Sequence, residues 1–208
     1  YTIREYICNF IMSKLETNTI DTISGSNTLT LGGTNLTTVN MASGVSPGTG
    51  MGKVLQVIST VKTDEFVTTA GAGSPVADTG LTATITPSST SSKILVMPTV
   101  SIGTSSNNHI GFTLFRDSTA IGIGDASGVR PRNSFVGSVY IGTATWNMQS
   151  AAFNFLDTPS SSSSIVYSIK VGGNGSAQIR INKSGRDTNG ADEDGRYAST
   201  ITLMEIAG

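Results

Sequence analysis

The chain has 208 residues, of which 37% are hydrophobic and 13% charged, and its formal net charge is −1. This balance lacks the positive field that attracts nucleic acid, so we expect no nucleic-acid partner. The single cysteine, Cys8, cannot form an intrachain disulfide, and one cysteine with one histidine cannot supply the usual ligands of a zinc site. Composition therefore predicts a chain without a cofactor that is stabilised by packing or assembly.

The N-terminal part of the chain shows no helical periodicity. Its first residues hold a short apolar run flanked by charges, which predicts neither a signal peptide nor membrane insertion. Residues 17–40 scatter single aliphatic residues through Thr, Asn, Ser and Gly, and such pieces cannot bury a core alone. Two interpretations stay open: a disordered linker, or a shaft or docking segment wound with sister chains.

A stretch rich in Gly and Pro, residues 41–52, separates this part from a differently patterned region and is typical of a connector. The length of the chain suits one β-domain plus a segment of about fifty residues. We therefore predict an extended, β-rich stalk or docking segment over residues 1–50 and a β-domain over residues 51–208.

Strand candidates follow the connector at close spacing. Apolar residues alternate with threonines over residues 80–86, Pro98 indicates a bulge or an edge position, and the pair at 117–118 indicates a hairpin turn. The predicted strands are residues 53–61, 65–69, 80–86, 93–103, 109–117, 119–124, 134–142, 148–157, 165–172, 177–182 and 199–208. With turns about every ten residues and no convincing helix, the pattern predicts an all-β fold, an antiparallel, jelly-roll-like β-sandwich.

Residue chemistry argues against an enzyme. His109 is the only histidine, so any Ser-His-Asp or Cys-His relay must pass through it, and no G-x-S-x-G motif is present. The one dense acidic cluster lies in a Gly-rich loop, apart from Trp146 and without an aromatic platform, which disfavours a glycosidase. The cluster comprises Asp187, Asp192, Glu193 and Asp194.

The same acidic loop fails the EF-hand template for calcium. Ala191 stands at the fifth position, Asp192 replaces the glycine at the sixth, and Ala198 replaces the bidentate glutamate at the twelfth. A calcium site of another kind stays open, but a charged, solvated loop tip is the favoured interpretation. We predict no catalytic, cofactor-binding or metal-binding residues.

Two long polar segments, residues 125–133 and 182–198, are predicted to be exposed loops. Loops on a rigid β scaffold are where recognition usually resides. Their basic side chains could meet an acidic surface glycan, with an intersubunit contact or plain surface charge as the alternative. The candidate recognition residues are Arg130, Arg132, Lys183, Arg186, Asp187, Asn189, Asp192, Arg196 and Tyr197.

Several strand residues are apolar on the face that alternation sends outward. Either that sheet is covered on both sides, or its outer face meets another subunit, and the scarcity of charge favours an oligomer. The residues are Leu95, Met97, Leu156, Met204 and Ile206.

Across residues 52–208 the order of motifs resembles a C-terminal domain recurrent in phage tail-fibre and virion structural proteins, particularly of marine and cyanobacterial phages. The motifs are GKVLQV, DTGLTATITPSSTSSKILV, FTLFRDSTAIG, FLDTP and TITLMEIAG. The run MSKLETNTIDTISGSNTLTLGG, residues 12–33, is similar to the start of such proteins, where a short segment attaches the fibre to the particle.

The resemblance implies a location in the virion and a homotrimeric, jelly-roll-like tip on a short intertwined stalk, with no catalytic residue and no cofactor. Its implied partners are sister chains, other virion proteins at the N-terminal segment, and a host surface glycan or protein at the loops. One alternative is a capsid decoration or cement protein with the same sandwich. Another is a free carbohydrate-binding module, which the low aromatic content of 6% disfavours.

Overall fold

A computed structural model describes residues 53–69, 77–137, 144–175, 177–189 and 194–208. The predicted attachment segment, residues 1–50, lies outside these ranges. The described residues contain no helix, and hence none that could span a membrane. They form twelve strands: β1 (Val54–Lys62), β2 (Phe66–Thr68), β3 (Ala77–Ile85), β4 (Lys93–Thr104), β5 (Gly111–Arg116), β6 (Thr119–Ile121), β7 (Phe135–Val136), β8 (Gln149–Ala152), β9 (Phe155–Asp157), β10 (Ile165–Gly172), β11 (Ile179–Ile181) and β12 (Ser199–Ile206).

These strands make two antiparallel sheets. The first has the order β1-β12-β4-β11-β2, with β8 and β9 also paired to β4, and the second has the order β3-β10-β5-β6, with β7 also paired to β5. Two strands can pair, one after the other, with the same long strand. For example, β12 pairs with the first part of β4 and β11 pairs with its end. Each sheet therefore contains four rows, some of them made of two strands end to end.

The order of these rows defines the fold. Along the chain the eight rows are β1 with β2, β3, β4, β5, β6 with β7, β8 with β9, β10, and β11 with β12. The first sheet holds rows one, eight, three and six, and the second holds rows two, seven, four and five. This connectivity is that of a jelly roll, a sandwich of two Greek keys. The predicted fold class is confirmed for the described residues.

The core lies between the sheets and is filled by alternate residues of the long strands. Phe112 and Tyr167 are its largest fully buried side chains. A row of stacked rings extends from Phe112 through Phe135 and Phe153 to Phe155, with centroid separations of 5.0, 5.5 and 6.2 Å. Full burial of each large apolar side chain contributes about 1.5–3 kcal/mol, so this interior is the main source of stability within one chain.

One buried carboxylate ties the two sheets together. Asp157, on β9 of the first sheet, accepts hydrogen bonds from Arg116 Nη1 at 3.0 and 3.1 Å and from Tyr167 Oη at 2.7 Å, both on the second sheet. Burial, followed by the hydrogen bond to Asp157, raises the pKa of Tyr167 well above its ordinary value. The buried charge is thus paired and hydrogen-bonded, as its desolvation requires.

Pro98 does not mark a bulge or an edge in β4, contrary to the sequence prediction. β4 is an interior strand, and its pairing with β12 runs through Pro98 without a register shift. Because the Pro98 carbonyl accepts the Phe153 N–H at 3.2 Å, the proline nitrogen faces that same side. Residues 153–154 separate β8 from β9 there, so the missing N–H falls where the neighbouring row is interrupted.

Two predicted strands also differ from the structure. The candidate at 148–157 is split into β8 and β9 by this interruption, and the candidate at 134–142 is described as the two-residue β7, because residues 138–143 lie outside the described ranges. The predicted hairpin turn is confirmed: Arg116 pairs with Thr119 across residues 117–118.

A second buried carboxylate holds the turn between β3 and β4. Glu205, on β12, accepts hydrogen bonds from the Ser88 N–H at 2.7 Å, the Ser88 and Ser92 hydroxyls at 2.6 and 2.7 Å, and Gln56 Nε2 at 2.6 Å. Burial alone would raise the pKa of Glu205, but these donors outweigh it and lower the pKa to about 2. The carboxylate thus fixes a turn rich in serine.

We predict that Glu205→Ala lowers the free energy of unfolding at pH 7 by about 3 kcal/mol, because Ser88, Ser92 and Gln56 lose a charged acceptor. The folded pKa lies below the ordinary value of 4.5, so this stabilisation is complete above about pH 4.5 and is lost as the pH falls toward 2. Urea unfolding of both proteins across this range measures the difference, with Asp125→Ala, in an exposed loop, as control. A difference independent of pH would contradict the assignment.

Candidate functional site

The outward side of the first sheet carries a continuous apolar surface. Val57, Met204, Leu95 and Leu156 lie side by side across its four rows through successive register pairs. Val57 is 51% and Leu156 49% exposed. The five residues predicted to face outward all do so. We call this surface the aliphatic band; it comprises Val57, Leu95, Met97, Leu156, Met204 and Ile206.

The outward side of the second sheet has a different character. Its exposed residues on β3 include Asp78, Thr82 and Thr84. On the same side, the Lys170 ammonium lies 4.3 Å from the centre of the Phe115 ring. Hydroxyls and charges suit contact with water, whereas the band has no charged member. Of the two outer faces, the first is the one built to contact an apolar partner.

The band lies near the end of the sandwich where the chain enters it. Lys53 accepts a hydrogen bond from the Ala207 N–H at 2.9 Å, and Val54 pairs with Ile206. From Lys93 to Ser101 the outward face of β4 extends about 26 Å, at about 3.3 Å per residue. Ser101 and the loop formed by residues 182–198 therefore lie at the end opposite the N-terminal entry.

Asn182 fixes the root of this loop. It adopts a left-handed backbone conformation with φ of +64°, which asparagine tolerates better than most residues. Its Nδ2 donates to the carbonyls of Lys62 and Asp64 at 2.8 and 2.9 Å, and its Oδ1 accepts from Ser199 Oγ at 2.6 Å. The loop between β11 and β12 is thereby anchored to the connection between β1 and β2.

Three candidate recognition residues form one ion-pair network. Lys183 Nζ lies 2.6 Å from both Glu65 Oε2 and Asp187 Oδ2, and Arg196 Nη1 lies 2.6 Å from Asp187 Oδ1. The hydrogen bonds from Lys183 and then Arg196 hold the pKa of Asp187 below its ordinary value. Burial lowers the pKa of Lys183, but its bonds to Asp187 and Glu65 outweigh burial and leave that pKa raised. Each of these charges therefore has an oppositely charged partner.

A second pairing brings a tryptophan to the loop. Arg186 donates through Nε and Nη2 to Asp194 Oδ2 at 3.0 and 2.7 Å, and Ser184 Oγ donates to Asp194 Oδ1 at 2.6 Å. The Ser184 hydroxyl and then Arg186 hold the pKa of Asp194 below its ordinary value. The guanidinium lies over the Trp146 ring, 5.1 Å from its centre.

Trp146 and Tyr197 line one shallow depression of about 500 Å³ beside this pairing. They are 38% and 45% exposed. We call it the aromatic depression; it is lined by Ser101, Trp146, Asn147, Met148, Gln149, Ser150 and Tyr197. Sequence reasoning missed it because Trp146 is far from Tyr197 in the chain, and only β4, which pairs Ser101 with Ser150, brings the segments together.

The structure does not join the other candidate residues to this network. Arg130 Nη1 donates to Ser127 Oγ at 2.8 Å, and Arg132 Nε donates to the Gly124 carbonyl at 2.7 Å, so both arginines bond within their own loop. Arg132 lines a separate cavity of about 670 Å³ together with His109. Asn189 is exposed, and Asp192 lies outside the described residues. The candidate basic residues thus occupy two sites.

Within the described ranges, no group of three or more His, Cys, Asp or Glu side chains is arranged to hold a metal ion. Asp192 and Glu193 of the acidic loop lie outside those ranges. The carboxylates of Asp157, Asp187, Asp194 and Glu205 are engaged with donors of the protein itself.

Comparison with known proteins adds little to this description. No protein-family model matches the chain, and no curated protein sequence matches it. Among solved structures, the chain is similar to one described as the structure of infectious bursal disease virus Gx strain, with 15% identity and a TM-score of 0.37. The match covers 73% of this chain and 40% of that chain. A similarity at this TM-score supports no conclusion about the chain. The class of protein that the fold defines is a jelly-roll β-sandwich.

We predict that Asp194→Asn loosens the loop at residues 182–189, because the bonds of Arg186 and Ser184 to the Asp194 carboxylate lose its negative charge. Hydrogen–deuterium exchange followed by mass spectrometry should show faster exchange there and unchanged exchange in β4 and β10. Asp125→Asn, in the other long loop, is the matched control and should leave the loop unchanged. Equal exchange in Asp194→Asn and wild type would show that the pairing does not hold the loop.

Proposed function

We propose that this chain is a non-enzymatic structural protein of a virion, specifically a bacteriophage tail or head fibre. It assembles as a homotrimer through the aliphatic band and displays its loop end toward the host surface. The observation that carries this proposal is the band itself, an apolar surface across all four rows of one sheet, bordered by Lys93 beside Ile206. The motif resemblance across residues 52–208 supplies the phage assignment.

The band favours self-association on energetic grounds. Covering half-exposed aliphatic side chains removes apolar surface from water at about 25 cal/mol per Å². Association costs translational and rotational freedom, but chains joined through their N-terminal segments meet at a high effective concentration. No member of the band is charged, so the same band on a sister chain can pack against it without an oppositely charged partner.

The arrangement of the two ends fits a fibre. The preceding chain joins the sandwich at Lys53, beside the band, while the loop of residues 182–198 lies at the other end. In the proposed assembly, residues 1–50 dock on the particle and wind with sister chains, and the bands pack together where the stalk meets the tips.

A structural role also fits the state of the titratable groups. The buried carboxylates Asp157 and Glu205 each accept several hydrogen bonds from the protein itself. His109 is exposed at the start of β5, outside these clusters. The two buried carboxylates stabilise the fold. The proposed function assigns no chemical step to them or to His109.

We predict that the full chain is a trimer, and that the Leu95→Lys trimer dissociates on dilution at a higher protein concentration than wild type, because the lysine places a charge in the centre of the band. Light scattering after size exclusion gives the mass, and circular dichroism checks the fold. Thr84→Lys, on the outer face of the second sheet, is the matched control and should stay trimeric. A monomeric wild type, or a Leu95→Lys trimer that resists dilution as wild type does, would refute association through the band.

We predict that deletion of residues 13–40 abolishes incorporation into particles while residues 53–208 keep their fold, because docking is assigned to the N-terminal segment. Immunoblots of purified particles measure incorporation, and circular dichroism of the deleted protein checks the fold. Normal incorporation of the deletion would remove the docking role. Immunogold labelling of wild-type particles separates a fibre, labelled at tail or head appendages, from a decoration protein, labelled evenly over the shell.

A further inference from the structure

We propose that the aromatic depression is a binding site for a neutral saccharide. This deepens the host-contact role proposed above, because it names a site and a ligand class, and it rests on that function for its biological meaning. The site itself depends on the described residues alone: two exposed aromatic rings, two amide side chains and two serines around one concavity.

The aromatic rings suit the apolar part of a sugar. A pyranose presents C–H groups on its faces and hydroxyls around its rim, so an exposed ring of Trp or Tyr can cover a sugar face without displacing polar contacts. Trp146 and Tyr197 are both partly exposed on the same depression. When a sugar face covers these rings, their apolar surface is removed from water, which favours binding.

The backbone of Tyr197 and the ring of Trp146 are held in place before a ligand arrives. The Tyr197 N–H donates to the Asn182 carbonyl at 3.1 Å, and Asn182 is itself fixed by its side-chain bonds. Arg186 lies against the Trp146 ring and is bound by Asp194. Because the Trp146 ring and the Tyr197 backbone are already ordered, binding costs less conformational freedom, which matters for a shallow site.

The polar lining suits the hydroxyls of a sugar. Asn147 and Gln149 each offer an amide that both donates and accepts, and serine hydroxyls do the same. Ser101 and Ser150 are register partners on β4 and β8, so their side chains project from the same face of the sheet. Ser101 Oγ already donates to the Ala198 carbonyl at 3.0 Å, which leaves its lone pairs to accept from a ligand.

The charges around the depression favour a neutral ligand. Arg186 is paired with Asp194, and Lys183 and Arg196 are paired with Asp187 and Glu65. An acidic sugar would have to compete with these carboxylates for the cations. The geometry therefore selects uncharged sugars over sialylated or uronic ones.

Binding at this site can be followed by tryptophan fluorescence, because Trp146 is the only tryptophan of the chain. The full chain is titrated with maltotriose, cellotriose, mannotriose and N,N′,N″-triacetylchitotriose, and with sialyllactose as the acidic probe. We expect a saturable change in tryptophan emission with at least one neutral probe. Tyr197→Ala and Gln149→Ala, which keep the reporter, should each weaken binding about tenfold or more, the loss expected for one well-placed contact.

Arg130→Ala, in the other long loop, is the matched control and should bind as wild type does. Melting temperatures verify that each variant is folded. No saturable change with any neutral probe, equal binding by the variants and wild type, or preference for sialyllactose would each overturn the proposal. Light scattering on the same samples separates the two hypotheses: a monomer that binds refutes the fibre alone, and a trimer that does not bind refutes this site alone.

Discussion

The first sheet has apolar side chains on both of its faces, and a single sandwich can bury only one of them. On β4, Ile94 and Val96 are fully buried against the second sheet, while Leu95 and Met97, which alternate with them, point the other way and stay partly exposed. One face therefore stabilises the fold, and the other is available for assembly. With 13% charged residues, the chain has few groups to make that second face soluble. In the proposed trimer, folding and association are thus linked through the same strands.

Serine and asparagine fasten this structure where a more highly charged protein would use ion pairs. The hydroxyls of Ser88 and Ser92 meet the buried Glu205, Ser184 meets Asp194, and Ser199 meets Asn182. Each bond fixes a turn or a loop root to a strand, and each gives a buried polar atom its partner. The abundance of hydroxyl residues therefore has a structural use besides high β-propensity.

The sequence predicted what depends on neighbours along the chain and missed what depends on neighbours in space. Alternation over residues 80–86 and around Leu95 correctly predicted strands and the outward apolar residues, because the side-chain period of a strand is two. The pairing of Lys183 with Glu65, distant in sequence, arises only when β11 and β2 lie side by side. Trp146 was discounted for the same reason, and Pro98 was misplaced because the interruption that accommodates it lies in another row.

A shallow site is sufficient for a protein that presents several copies of it. If bands pack beside the stalk, every copy directs its aromatic depression toward the same far end, since about 13 Å of β4, from Met97 to Ser101, separates the two features. Binding of one copy then raises the effective concentration of the others at the surface, and avidity grows without new contacts. In the proposed fibre, weak contacts of several copies with a saccharide add up to firm attachment. The outer face of one sheet thereby links assembly to recognition, with β4 running through both.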